Sequence, residues 1–258
     1  MVVVQRYRVL ILECDATPQP IVRVRGTWGD IFEQFMRDGL DRYRQQNPRD
    51  SKIRLEVIRS NVLEMEPLPG KDEIDCVLVS GSTEHDASGD SAWALWVVEY
   101  LRHLYSNSNV ALVGFCFGHQ LIGRALGMQP RRNPNGWELS LCDVSLGEVG
   151  SRLFGRDTLP LHLLHRDMLP ASVPPGVELL GGSDLCPNQG LYVPGRLLTL
   201  QAHPEFDAFV MNYSLNWRCE QDLIGRDQWR RGLDVCGLEH AGGLVSEVVW
   251  RVLLGGDC

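Results

Sequence analysis

Residues 110–127 constrain the fold of this chain more than any other stretch. The stretch begins with the apolar run Val110 to Val113, whose length suits a strand buried on both faces of a sheet. Four apolar residues then recur at helical spacing and predict one buried helix face: Leu121, Ile122, Ala125 and Leu126. Gly127 follows as a helix stop signal. The stretch therefore predicts a buried strand that passes directly into a helix.

Cys116 lies at the joint between that strand and that helix, flanked by Gly114 and Gly118. A sharp strand-to-helix turn needs small neighbours, because larger side chains would collide within it. The same turn presents the central side chain at the helix N-terminus, where free N–H groups and the helix dipole favour a thiolate. The pattern indicates a nucleophile elbow with Cys in place of Ser. The alternative is that Cys116 is simply a small buried hydrophobe.

A candidate base for this nucleophile occurs downstream, within residues 198–206. There a second apolar strand ends at His203, and a carboxylate follows at Glu205. An imidazole can take the proton of a thiol, and a carboxylate can hold that imidazole in the required tautomer. The alternative is that residues 203–205, with Pro204 between the two, form an ordinary helix N-terminus, since Pro suits the first turn and Glu complements the dipole.

Together these residues resemble the class I, triad-type glutamine amidotransferases. In that family the nucleophile motif is Gly-x-Cys-x-Gly-x-Gln, here residues 114–120, and the base and its acid lie in a His-Pro-Glu motif. Residues 77–82 are also similar to the strand and loop that hold the oxyanion in the family. The resemblance implies a catalytic triad of Cys116, His203 and Glu205, and no cofactor.

The same resemblance implies two backbone donors for the oxyanion of the tetrahedral intermediate. One is the N–H of Phe117 at the helix start, and the other lies near Gly81. The family usually has Gly-Gly-Pro at the second position, whereas this sequence has Gly81, Ser82 and Thr83. The sequence therefore leaves open which of these N–H groups points into the site. Taken alone, Gly81 is equally well explained as a turn at the end of a strand.

Substrate-binding positions also follow from the resemblance. Gln120 matches the position that contacts the glutamyl group, and His165 lies in a segment similar to the loop that holds the glutamyl backbone. Ser82 and His85 lie on the loop after the oxyanion strand, where they are expected to line the pocket. Without the motif, Gln120 would be interpreted as a polar residue on the exposed side of its helix.

Composition and charge exclude several classes of protein. The net charge of −8 and the pI near 5.4 argue against a nucleic-acid-binding surface, which would concentrate Lys and Arg. No apolar stretch is long enough to span a membrane, and charge interrupts residues 1–8 too early for a signal-peptide core. The eight Cys residues have neither CxxC nor metal-finger spacing. We therefore expect reduced thiols, a cytoplasmic protein and no metal site.

Strands and helices alternate along residues 7–127, which predicts a doubly wound, mostly parallel, flavodoxin-like α/β sheet. Beyond that segment, short strands separated by Pro and Gly are interpreted as an antiparallel extension of the sheet. The last of them, residues 197–201, delivers His203, and a helix is predicted to begin at Pro204. No repeat or linker divides the sequence, so residues 1–258 are expected to form a single glutamine amidotransferase-like domain.

The segments 80–82 and 85–87 look closest to the stand-alone branch of the family, which includes plant γ-glutamyl peptidases that act on glutathione conjugates and fungal relatives in metabolite pathways. The sequence has no Gly-rich nucleotide-binding loop, and we expect no synthetase domain within these 258 residues. We expect hydrolysis of the C–N bond of a small γ-glutamyl substrate, either glutamine or a γ-glutamyl peptide or conjugate, through a γ-glutamyl thioester. Loops 84–90 and 131–137 are expected to face the leaving group. The alternatives are a glutaminase that supplies ammonia to a separate synthetase, and a non-catalytic binding or regulatory module.

Overall fold

A computed structural model describes residues 5–255 of the chain, as one large sheet with helices on both faces and a separate two-stranded sheet. The strands are β1 (Gln5–Glu13), β2 (Ile53–Asn61), β3 (Cys76–Val79), β4 (Ala111–Phe115), β5 (Arg131–Arg132), β6 (Glu138–Leu146), β7 (Thr158–His165), β8 (Asp167–Met168), β9 (Glu178–Gly182), β10 (Gly190–Val193) and β11 (Leu197–Leu200). The helices are α1 (Gln19–Arg25), α2 (Trp28–Gln46), α3 (Ala92–Asn107), α4 (Phe117–Ala125), α5 (Glu148–Phe154), α6 (Ala208–Glu220), α7 (Arg226–Val235) and α8 (Gly242–Leu253). Single turns of 3-10 helix lie at Pro48–Asp50 and Val62–Glu64.

The parallel part of the large sheet has the strand order β2-β1-β3-β4-β11, and β10, β9, β6 and β7 continue it with antiparallel pairing. This order is that of a flavodoxin-like sheet, so the predicted fold class is confirmed. The carboxyl ends of β3, β4 and β11 are neighbours. The segments that follow these three strands, which contain Gly81, Cys116 and His203, therefore meet at one edge of the sheet.

The assignment of the last strand to the antiparallel extension is wrong. Strand β11 runs parallel to β4, with Leu197 opposite Leu112 and Leu200 opposite Phe115, and only its other edge is antiparallel, to β10. All four residues of β11 are buried because the strand lies inside the sheet, with a partner on each edge. The strand that carries His203 thus ends at the same sheet edge as the strand that carries Cys116.

The helix predicted from Pro204 begins later. Helix α6 begins at Ala208, and Asp207 is its N-cap, with a side chain that accepts a hydrogen bond from Val210 N at 2.9 Å. Residues 203–206 form a turn instead, closed by a 3.3 Å hydrogen bond from Phe206 N to the His203 carbonyl. The His-Pro-Glu motif is therefore not a helix N-terminus, which was its alternative interpretation.

Three helices have no clear periodic signal in the sequence. Helix α1 follows Pro18 and buries only Ile21, and α7 buries only Gly232. Helix α5 begins within residues 137–149, which are one of the short strands predicted after residue 127, because Gly147 follows the end of β6 and serves as the N-cap of the helix. A short helix that buries only one or a few residues does not produce a recognisable hydrophobic periodicity in the sequence.

Two hydrophobic clusters cover the two faces of the sheet. On one face α2 and α8 pack over strand residues such as Phe115, and Trp250 Nε1 of α8 donates to the Met36 carbonyl of α2 at 2.7 Å. On the other face α3 and α4 pack over Val77 and Leu112. Both faces of the parallel strands are therefore covered, as a doubly wound sheet requires.

The helices and the cysteines bear on the expected absence of a membrane span and on the expected reduced thiols. Among residues 5–255, no helix combines the length and the apolar character needed to cross a membrane. Seven Cys residues in the same range carry free thiols. The eighth, Cys258, and the first four residues of the N-terminal segment considered above lie outside the described residues.

Candidate active site

Cys116 lies between β4 and α4 in a strained backbone conformation. Its φ is 51° and its ψ −106°, a combination that costs a non-glycine residue on the order of 1–3 kcal/mol. Hydrogen bonds hold this conformation on both sides: Cys116 N donates to the Leu200 carbonyl at 2.9 Å, and the Cys116 carbonyl accepts from Gln120 N at 3.1 Å. The buried Cys116 side chain therefore lies at a helix N-terminus, where the Gly-x-Cys-x-Gly pattern predicts it.

The glycines that flank Cys116 allow close backbone approach. A Cβ atom on Gly118 would lie 2.1 Å from the Val79 carbonyl oxygen of β3, and one on Gly114 would lie 2.7 Å from the Gly118 carbonyl carbon. Both distances are shorter than any stable non-bonded contact between these atoms. Helix α4 is therefore pressed so closely against β3 and β4 that only glycine fits at these two positions.

Gly118→Ala is expected to lower the free energy of unfolding by about 3 kcal/mol or more, because a backbone carbonyl cannot move aside as a flexible side chain can. Gly237→Ala is the matched control, since a Cβ there meets no heavy atom within 4 Å. Urea unfolding of the two variants measures the difference. Equal midpoints for both variants would contradict the close packing of α4 on β3.

His203 and Glu205 face each other in the turn after β11. His203 Nδ1 lies 2.8 Å from Glu205 Oε1, and both side chains are almost fully buried. The Phe206 ring stacks on the imidazole with 4.1 Å between ring centroids, and Trp28 in turn stacks on Phe206. Because Nδ1 is occupied by the carboxylate, Nε2 is the ring nitrogen left for Cys116.

Three influences set the pKa of His203. Burial lowers it, but the neighbouring Cys116 and the Glu205 carboxylate outweigh burial and raise the pKa to about 10, through charge and through a hydrogen bond from each. The imidazolium form of His203 is therefore favoured at neutral pH. The structure thus brings together the three residues that the sequence motifs single out.

Gly81 completes the convergence of the three loops. A Cβ atom at Gly81 would lie 2.8 Å from His203 Cε1 and 3.8 Å from Cys116 Cβ. An open cavity of about 210 Å³ lies beside this convergence, and its wall includes Ser82, Cys116, Phe117 and Gln120. The candidate nucleophile therefore faces a cavity large enough for part of a small substrate.

Hydrogen bonding narrows the choice of oxyanion donor. Thr83 N donates to Asp15 Oδ2 at 2.5 Å and is therefore not free to bind an oxyanion. Within residues 5–255, the N–H groups of Gly81, Ser82 and Phe117 have no hydrogen-bond acceptor. Asp15, which sequence reasoning did not single out, thus orients the loop and leaves two of its N–H groups unpaired beside the helix N-terminus.

Gln120 and His165 are joined through the carbonyl of Asp167. Gln120 is 4 % exposed, so it does not lie on the exposed side of its helix. Its Nε2 donates to the Asp167 carbonyl and to Gln201 Oε1, both at 2.9 Å. His165 Nδ1 lies 3.0 Å from the same Asp167 carbonyl. Both residues line the 210 Å³ cavity together with Cys116.

His165 also belongs to a buried cluster with Glu138 and Cys186, whose ligand atoms lie within 4.8 Å of one another. All three are metal-ligating residue types, and spacing in the sequence does not reveal them because they come from separate segments. The Glu138 carboxylate lies 3.0 Å from His165 Nε2 and accepts hydrogen bonds from Gln189 and Ser183 at 2.8 and 2.5 Å. These contacts explain the cluster as a polar network that holds the His165 ring in place.

Ser82 and His85 are half-buried and line the outer part of the cavity. Ser82 Oγ accepts a hydrogen bond from His85 N at 3.2 Å. The His85 ring packs against Trp93 with 5.0 Å between ring centroids. The loop after β3 therefore supplies part of the wall of this cavity.

Arg218 lines the cavity, but no motif in the sequence marks it as a site residue. Arg218, near the end of α6, is 4 % exposed and lines the same cavity as Cys116. A single basic residue near a helix C-terminus ordinarily indicates only compensation of the helix dipole. Trp137, which packs against it, belongs to the segment 131–137 that was expected to face the leaving group.

Comparison with known proteins agrees with this geometry. The family model for glutamine amidotransferase class-I matches residues 42–214. A glutamine amidotransferase-like protein of Schizosaccharomyces pombe is 32% identical over 209 residues, which are 80% of this chain and 82% of that protein. Gamma-glutamyl peptidase 3 of Arabidopsis thaliana is 28% identical over 147 residues, 54% of this chain and 58% of that one. The crystal structure of a glutamine amidotransferase from Thermotoga maritima has a TM-score of 0.67 at 20% identity and covers 96% of this chain and 98% of its own. The matched residues include both the Cys116 and the His203 motifs, and the chain belongs to the class I glutamine amidotransferase family.

Proposed function

We propose that the protein is a hydrolase that cleaves the C–N bond of a γ-glutamyl amide through a γ-glutamyl thioester on Cys116. One observation carries this proposal: His203 Nδ1 lies 2.8 Å from Glu205 Oε1, and the same imidazole lies beside Cys116, since a Cβ at Gly81 would meet both within 4 Å. That arrangement lets the imidazole hold the proton of the thiol while the carboxylate stabilises the resulting cation.

In the first half of the reaction the Cys116 sulfur attacks the γ-carbonyl carbon of the substrate. The carbonyl oxygen gains negative charge and is stabilised by the N–H of Phe117 together with that of Gly81 or Ser82. The C–N bond then breaks, and His203 Nε2 gives its proton to the departing nitrogen. The products of this half are a free amine and a thioester between Cys116 and the γ-glutamyl group.

In the second half a water molecule attacks the thioester carbonyl. His203 takes a proton from the water, the carbon–sulfur bond breaks, and the sulfur of Cys116 leaves as a thiolate beside the imidazolium. Glutamate is released with a new carboxylate at its γ-carbon. The same oxyanion donors serve both halves, because both tetrahedral intermediates place their oxygen at the same position.

Hydrolysis without a partner is favoured over ammonia supply to a synthetase. Several relatives are named γ-glutamyl peptidases, which supports action on γ-glutamyl peptides. The cavity beside Cys116 is open to solvent and its outer wall contains His85 and Trp137, leaving room for a leaving group larger than ammonia.

The purified protein alone is expected to release glutamate from a γ-glutamyl dipeptide and from an S-substituted glutathione. The expected kcat/KM for these substrates exceeds that for glutamine by at least about tenfold, which corresponds to roughly 1.4 kcal/mol of additional transition-state binding. Glutamate release, measured for each substrate at equal enzyme concentration, gives the comparison. The proposal of a self-sufficient γ-glutamyl hydrolase is wrong if the protein cleaves none of these substrates alone and hydrolyses glutamine only after a synthetase is added.

A further inference from the structure

Arg218 is a buried cation without an acidic partner in the wall of the proposed site. Within residues 5–255 no Asp or Glu forms an ion pair with it. Its Nη1 donates to the Ser214 carbonyl at 3.2 Å, and its Nε has no partner. A guanidinium carries five N–H donors, so most of those of Arg218 are unused. A buried charge is costly unless it is paired, so a bound anion would stabilise the Arg218 guanidinium.

Trp137 supplies a second unused donor in the same wall. Its ring lies 5.5 Å from Arg218 Cζ, and its Nε1 is buried without an acceptor. Trp217 packs against the guanidinium as well, at 5.7 Å. Stacking on aromatic rings shields the cation from water but leaves its N–H groups free. A carboxylate, with two acceptor oxygens, suits an arginine and an indole N–H that lie side by side.

The position of Arg218 indicates which part of the substrate carries this carboxylate. Arg218 lines the cavity of Cys116 and also a small cavity of about 20 Å³ beside His203 and Glu205. The proposed mechanism sends the departing amine towards His203, which protonates it. Gln120 lines the larger cavity, but its amide nitrogen is already bonded to the Asp167 carbonyl. Arg218 is therefore placed on the side of the leaving amine.

We propose that Arg218 and Trp137 bind a carboxylate carried by the leaving amine, so that the substrate is a γ-glutamyl peptide with a free carboxylate beyond the scissile bond. This inference rests on the proposed function and names its substrate class. Glutamine cannot use such a subsite, because its leaving group is ammonia. Burial lowers the pKa of Arg218 to about 10, against the opposing influence of Cys116 and Asp15, so the guanidinium stays charged at neutral pH.

The test compares γ-glutamylglycine with γ-glutamylglycinamide, which lacks only the carboxylate. In wild type, kcat/KM for the peptide is expected to exceed that for the amide by roughly ten- to a hundredfold, as expected for hydrogen bonds to a charged group. Arg218→Gln removes most of this preference by lowering activity on the peptide alone, and Arg218→Lys restores part of it. Trp137→Phe, which keeps the ring and removes the N–H, lowers the preference by a smaller factor. Arg230→Gln, an exposed arginine on α7, is the control and leaves it unchanged.

Equal losses on both substrates in Arg218→Gln would overturn the proposal and place the arginine at the α-carboxylate of the glutamyl group or in the fold alone. Binding of both compounds to Cys116→Ala, measured by calorimetry, separates this proposal from the proposed function. Tighter binding of the peptide that disappears in the Cys116→Ala, Arg218→Gln double variant supports the subsite even if wild type cleaves neither compound. Equal binding of the two compounds overturns the subsite even if wild type hydrolyses glutamine.

Discussion

Cys116→Ala is expected to lower kcat/KM for every γ-glutamyl substrate by at least about 10⁴-fold, as removal of a catalytic nucleophile does elsewhere. Neither Cys14 nor Cys76 can replace it, because burial raises the pKa of both thiols, that of Cys14 to about 12, and keeps them protonated. The substituted side chain leaves Gln120 and the backbone donors in place, so substrate binding should survive. Steady-state hydrolysis and calorimetric binding measure the two properties separately.

A glutamine analogue whose amide is replaced by a diazoketone gives an independent check on the same residue. Mass spectrometry is expected to find one adduct, on Cys116, in wild type and none in Cys116→Ala. Cys142→Ala, a half-buried thiol on β6, is the control and should keep both turnover and labelling. Full turnover in Cys116→Ala, or labelling of another residue, would show that Cys116 is not the nucleophile. Neither turnover nor labelling in wild type would favour a non-catalytic binding module over the hydrolase.

The central part of the site can be predicted from the sequence because residues close together in the chain determine it. The strand, the turn and the helix around Cys116 are contiguous, and the two flanking glycines are dictated by backbone contacts that any version of this turn must make. His203 and Glu205 are likewise two residues apart, so one short motif contains both. The prediction needs only that two buried strands end at the same sheet edge, which parallel strands of one sheet do.

The features that the sequence does not reveal depend on contacts between residues far apart in the chain. Strand β11 is a short apolar run, and nothing in such a run states whether its neighbours are parallel or antiparallel. Glu138, His165 and Cys186 meet only because β6 and β7 pair in one register and a loop folds over them. Arg218 reaches the cavity through the packing of α6 against Trp137. Each of these three features depends on the tertiary arrangement of the chain, which hydrophobic periodicity and motif spacing do not reveal.

Glu205→Gln is expected to lower kcat by at least about 100-fold, since the matching change in a serine protease triad costs about 10⁴-fold. The amide keeps the shape of the side chain but removes the charge that helps to raise the pKa of His203. That pKa should therefore fall, and the imidazolium should lose its proton at lower pH than in wild type. In the kcat/KM profile the alkaline limb, where His203 loses its proton, is expected to move to lower pH, and rates across the pH range measure the shift.

Asp207→Asn distinguishes this effect from a general loss of negative charge near the turn. Asp207 lies two residues beyond Glu205, pairs with Arg25 at 2.6 Å and has no hydrogen bond to His203. Asparagine can still cap α6, so the fold should be retained. The alkaline limb of this variant is expected to match wild type. An equal shift in both variants would mean that His203 responds to the summed charge of the turn, whereas a shift confined to Glu205→Gln requires the direct 2.8 Å contact between carboxylate and imidazole.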